Sequence, residues 1–163
     1  MEETDRLACV VLLEDRPAPR PPEVQQEIDI ALFDLSESNH FRLLPRSDGT
    51  EPPGGPYSLT IGMPDRKLVF DLTTGDGRPA ASFHLSLSPF RTAITDYLAI
   101  CAQYADAVKT LPPAKIEAID MGRRGLHDAG ADIVLERLEG KAETDRETAR
   151  RLFTLIAALS QRG

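Results

Sequence analysis

Tryptophan is absent from this 163-residue chain, and aromatic residues make up only 6% of it. Its core must therefore be mostly aliphatic. Cysteine is scarce too: Cys9 and Cys101 are the only two. With no CxxC pair, they exclude a disulfide framework and a thiolate metal centre. Each sits in an apolar pattern, so each is expected as a buried free thiol. His40, His84 and His127 lie far apart, and no metal or cofactor is expected.

Long apolar runs are missing as well. None approaches the ~18 residues of a membrane span. The start, Met1-Glu2-Glu3-Thr4-Asp5-Arg6, is acidic, unlike the basic opening of a signal peptide. A cytoplasmic protein is expected. A basic surplus is also lacking: 19 Lys and Arg against 26 Asp and Glu give a formal charge of -7. That argues against general nucleic-acid binding and against anionic membranes, both of which call for clustered cations. Gly75-Asp76-Gly77 has no Lys-Ser/Thr after it, so it is a hairpin turn and not a phosphate loop. No Gly-x-Ser-x-Gly nucleophile elbow occurs.

What is present reads as a single α+β domain over 1–163, since a chain of about 100–200 residues usually forms one. Leu7–Leu13 is continuously apolar and reads as a strand covered on both faces. Residues 15–22 are a proline-rich connector. Pro22 opens a helix whose stripe is Val24, Ile28, Ala31, Leu32 and Leu35. Ile30 and Phe33 fall outside that stripe. Burial on two sides is the favoured reading for them. The alternative is a partner surface, through which the chain would form a homodimer. Residues 45–56 are a loop with a mobile tip, following a short strand near 40–44.

Three segments then alternate apolar with polar: Tyr57–Gly62, Lys67–Thr73 and Ala81–Leu87. They form an antiparallel meander. The expected register pairs Leu59 with Phe70 and Phe70 with Phe83, and aligns Ile61, Leu68 and Leu85. Its polar face carries Ser58, Asp71, Ser82, His84 and Ser86. A Ser–His–Asp triad there is disfavoured, because His84 falls beside Val69. Ser88-Pro89 caps a helix with the stripe Phe90, Ile94, Tyr97, Leu98, Cys101, Tyr104, Ala105 and Val108. Pro113 opens the next helix, with a break at Gly130. Thr144 and Glu147 form a capping box for a last helix buried through Ala149, Leu152, Phe153, Ile156 and Leu159. The fold class is thus an antiparallel β-meander packed by one N-terminal helix and a C-terminal set of about three helices.

The densest polar stretch is Ala118–Gly130. On a helical wheel Asp120, Arg123, Arg124, His127 and Asp128 share one side, and Ala118, Gly122, Gly125 and Ala129 the other. The small residues are read as a close crossing with another backbone. The polar side is the candidate ligand- or partner-binding face, because two guanidiniums can clamp a phosphate or carboxylate. A histidine beside an aspartate can also act as a general base. The structural alternatives are a solvated face with i,i+3 and i,i+4 ion pairs, or arginines that hold neighbouring segments together.

The string Ile116-Glu-Ala-Ile-Asp-Met-Gly-Arg-Arg-Gly-Leu-His127, with Thr148-Ala-Arg-Arg-Leu-Phe-Thr-Leu-Ile156, resembles the bacterial Uncharacterised Protein Family 0262. Arg66-Lys-Leu-Val-Phe-Asp71 and Phe83-His-Leu-Ser-Leu-Ser-Pro-Phe90 are similar to it too. The resemblance implies a bacterial cytoplasmic protein and brings no activity and no catalytic residue. The function expected is a non-enzymatic binding or regulatory protein with a protein partner or small anionic ligand. The alternative is a small enzyme acting on a phosphorylated or carboxylated metabolite through Arg123, Arg124 and His127.

Overall fold

The structure is a computed structural model, described here for residues 4–14 and 19–161. Part of the proline-rich connector, 15–18, lies outside the described residues. The described residues are mixed α and β, with four α-helices, a four-stranded sheet and a two-stranded one.

Strand β1 (Leu7–Leu13) pairs in parallel with β3 (Tyr57–Gly62), which begins the meander with β4 (Leu68–Thr74) and β5 (Pro79–Leu85). The strand order is β1-β3-β4-β5. A parallel partner needs a crossover, and α1 (Pro22–Glu37) lies within that connection. Between them sits β2 (Phe41–Leu43), which pairs antiparallel with β6 (Ala142–Thr144), a strand too short to show a pattern.

Phe70 pairs with Phe83, as expected, and is fully buried. The β3–β4 register differs from the expected one. Ile61 faces Phe70 and Leu59 faces Leu72, a shift of two residues. The cause is the turn. Gly62 pairs with Val69, which the expected register set beside Thr60, so the link spans Met63 to Leu68, with Asp65 and Arg66 both left-handed and Lys67 N–H donating to Pro64 O at 2.9 Å. This is the handedness a tight hairpin uses. An even shift leaves every side chain on its face, so the buried side keeps Leu59, Ile61, Leu68, Phe70, Leu72 and Leu85.

β1 is not covered on both faces. Val10 and Leu12 pack on the core, whereas Cys9, Val11 and Leu13 are exposed on the outer face. Cys9 is therefore not the buried thiol expected, while Cys101 is buried.

Helix α2 spans Arg91–Thr110, α3 Pro113–Leu138 and α4 Arg146–Ser160. A short turn at Ser88–Phe90 leads into α2 without a side-chain cap. The α2 stripe holds through Cys101 and then rotates: Ala107 is buried and Val108 exposed. The cap of α4 is Asp145, one residue later than expected, accepting from Thr148 N–H at 2.9 Å. Thr144 instead donates to His40 O at 2.5 Å.

The core runs through α4, where every residue from Leu152 to Leu159 is buried. It joins the inner sheet face to α1 and α2. Helix α3 does not break at Gly130. Gly130 is buried, and a Cβ there would land in the Phe153 ring of α4. The close crossing is therefore at Gly130, not at Gly122 and Gly125. Both of those are exposed; a Cβ on Gly125 meets nothing, and one on Gly122 meets only the Ile100 tip at 2.9 Å.

Candidate functional site

The exposed glycines overturn the expected orientation of α3. Ala118, Gly122, Gly125 and Ala129 lie outward, and Arg123 and His127 reach inward toward the other helices.

Arg123 is the hub. Its Nη1 donates to Glu27 of α1, and its Nε and Nη2 donate to Asp120 at 3.1 and 2.6 Å. The guanidinium lies 5.0 Å from the centroid of the Tyr104 ring on α2. One side chain thus ties three helices with two carboxylates and a cation–π contact. Burial works against its charge, but the hydrogen bond to Asp120 and the charge of Glu27 outweigh it, so its pKa is raised. The bond from Arg123 holds the Asp120 carboxyl below its ordinary range.

The other members of the predicted face go separate ways. Arg124 points out, 75% exposed, with its Nη2 3.0 Å from Asp120. His127 turns in: its Nε2 lies 2.7 Å from the Thr154 hydroxyl of α4, and its ring is 4.6 Å from the Tyr97 ring. Burial, followed by the charges of Arg123 and Arg150, lowers its pKa to about 4. The ring is therefore neutral near neutral pH. Asp128 pairs with Arg150 of α4 at 2.9 Å. Asp120, Arg123 and Arg124 form one ion-pair cluster, His127 and Asp128 bind α4 instead, and Arg123, Arg124 and His127 do not converge on a shared point.

Beside the network is a narrow crevice lined by Val24, Glu27, Tyr97, Leu98, Cys101, Thr154 and Ala158. It is too tight for a water molecule. Small-molecule sites usually span roughly 300–1,000 Å³. The Tyr97 hydroxyl is buried there; Thr154 and Cys101 influence its acidity, but no hydrogen bond to it is well formed. Burial and then the Glu27 charge raise its pKa, and the same two causes push the Cys101 thiol up to about 11.

On the outer sheet face, Ser82 donates directly to Asp71 at 2.6 Å, and His84 sits opposite Val69. Serine and aspartate thus meet without the histidine between them. Among the described residues no His, Cys, Asp and Glu side chains gather in a group of three or more able to hold a metal ion.

Ile30 and Phe33 are 48% and 62% exposed. The reading of a helix buried on two sides fails for α1, whose buried residues, Val24, Ile28, Ala31 and Leu35, lie on one stripe. Glu27, Tyr104, Thr154 and Arg150 were not foreseen as partners of the polar face. One signal could have found Glu27: α1 holds Glu23, Glu27, Asp29, Asp34 and Glu37 and no basic residue. Such a helix must find its cations elsewhere, and Arg123 and Arg151 supply them to Glu27 and Asp34.

No helix among the described residues is long and apolar enough to cross a membrane. No solved structure matches the chain. The model of the Uncharacterised protein family (UPF0262) matches residues 4–162. A UPF0262 protein of Dinoroseobacter shibae is 55% identical over 150 residues, covering 91% of this chain and 94% of the relative. One of Paracoccus denitrificans is 52% identical over 160 residues, covering 98% of each. A third, of Roseobacter denitrificans, is 53% identical and covers 91% of this chain and 94% of its own. With the family model matched over nearly its whole length and bacterial relatives more than half identical to it, the chain belongs to the family UPF0262.

Proposed function

We propose that this chain is a non-enzymatic binding protein that holds a protein partner against the outer flank of α1. The observation that carries this reading is the exposure of Ile30 and Phe33 on a helix already fully docked on its other side. An exposed apolar patch rimmed by polar residues marks an interaction site. The flank is rimmed by the exposed Asp29 and Glu37, with no base on the helix to neutralise them. The complementary partner has an apolar centre with lysines or arginines around it.

The enzymatic alternative, and the capture of a small anion, both require Arg123, Arg124 and His127 to converge on a concave site. The first is committed to Glu27 and Asp120, the second points to solvent, and the third faces Thr154. This divergence supports the binding reading.

The test is a photo-crosslinking residue at Phe33, used in cells of a bacterium that carries the family. A discrete adduct is expected, lost on adding Ile30→Lys and absent when the crosslinker sits at the exposed Asp106. The same adducts at both positions, or none at Phe33, would overturn the reading.

A further inference from the structure

A strand at the rim of a sheet presents a row of unpaired N–H and C=O groups, which proteins normally cover, charge or interrupt. The two rims of the four-stranded sheet differ in this respect. β5 opens on Pro79, Arg46 donates to the Ala80 carbonyl at 3.2 Å, and the outward residues Ser82 and His84 are polar. Among the described residues, β1 is guarded only at its start. There the Asn39 side chain accepts from Leu7 N–H at 2.7 Å and donates to Leu7 O at 2.9 Å. From Ala8 to Leu13 it carries no charge and no proline, and its sheet partner among the described residues is β3 alone. Val11 and Leu13 are 48% and 55% exposed beside that rim.

We propose that two copies of this chain pair antiparallel along β1, about a two-fold axis near Val10 and Val11, and join their sheets into one. The ends of the strand favour this occupant. Arg6, at one end, is exposed and has no ion-pair partner among the described residues, and Glu14, paired with Arg20, lies at the other. Antiparallel pairing sets each Arg6 beside the partner's acidic end, whereas parallel pairing sets like charges side by side. A two-fold interface is self-complementary, so Val11 of each copy lies opposite or diagonal to Val11 of the other on the outer face, with the partner's Cys9 beside it. The flank of α1 serves this purpose poorly, since a two-fold contact there places carboxylates against carboxylates. This self-pairing is independent of the partner surface on α1.

Sedimentation of the full chain at micromolar concentration tests it. The wild type is expected as a dimer. Val11 of the two copies would lie opposite or diagonal, about 5–8 Å apart. Val11→Lys and Val11→Glu should therefore each sediment as monomers, with dissociation constants raised more than about tenfold. Mixed in equal amounts, the two variants should regain a dimer containing one of each, which also demonstrates that both fold. Leu13→Lys serves as a second single variant. A wild-type monomer, dimers that survive Val11→Lys, or a mixture that stays monomeric would each overturn the proposal.

Discussion

Replacing Gly130 by alanine separates two opposed effects. Alanine favours a helix over glycine by roughly 1 kcal/mol. At this position, however, the new Cβ falls on Cγ, Cδ1 and Cδ2 of Phe153. That ring cannot step aside freely: it is fully buried, stacked with Phe90 at 6.5 Å and edge-on to Tyr97 at 5.5 Å. Overpacking costs roughly 1–3 kcal/mol and sometimes more, and a clash with a confined ring belongs at the upper end. The net loss is then about 2 kcal/mol. For a chain of this size that is a drop of about 4–8 °C in melting temperature. Gly125→Ala is the matched control on the same helix. A Cβ there meets nothing, so about 0.4–1 kcal/mol of stabilisation is expected. Thermal unfolding of the two variants should give shifts of opposite sign. In the Gly130→Ala background, Phe153→Leu should cost less than it does alone, because the two positions share one space. Equal melting temperatures for Gly130→Ala and Gly125→Ala would refute the close crossing.

Two further outcomes follow from the local chemistry. His127 is lowered to about 4 in the folded chain against an ordinary 6.5, so folding favours the neutral ring. Its contribution, at most about 3 kcal/mol, is present above pH ~6.5 and is lost as pH falls toward ~4. NMR titration of the imidazole should show protonation only below pH ~5, and a midpoint near 6.5 would contradict the buried placement. Arg66→Gly should stabilise by about 0.5–1 kcal/mol in urea unfolding, because a left-handed backbone at φ 63° is costly for arginine and free for glycine. A loss of stability there would mean that the turn is not left-handed.

The faces of the strands were legible in the sequence, since alternation places Leu59, Ile61, Phe70 and Leu72 on one side in any even register. Alternation cannot distinguish a register from one shifted by two. That choice rests on the turn, and Pro64-Asp65-Arg66-Lys67 lacks the Asn-Gly that would have announced its handedness. The inversion of α3 had a different origin. Charged side chains are normally solvated, so Arg123 and His127 were placed outward. Their partners, Glu27 and Thr154, lie 96 and 27 residues away and leave no mark in the local pattern. Glycines were assigned to the packing side by the same logic, and Gly130, read as a helix break, proved to be the one at the crossing. Ile30 and Phe33 lie outside the apolar stripe of α1 in the sequence pattern and are exposed in the structure; the pattern alone does not distinguish exposure from a second buried side.

The central claim is that the polar stretch of α3 is an internal brace, which leaves the flank of α1 as the binding surface. Urea unfolding of Arg123→Ala beside Arg124→Ala tests it most directly. Removing Arg123 strands Glu27 and Asp120, each less than one-fifth exposed at the side chain. Breaking a fully buried pair costs roughly 3–5 kcal/mol, and the partial exposure here brings the expectation to about 2–4 kcal/mol. Arg124, three-quarters exposed, should change stability by no more than about 0.5 kcal/mol when removed. That asymmetry is the predicted result. Two variants that both unfold with the wild type would contradict the brace and return Arg123 and Arg124 to the role of a free anion-binding face.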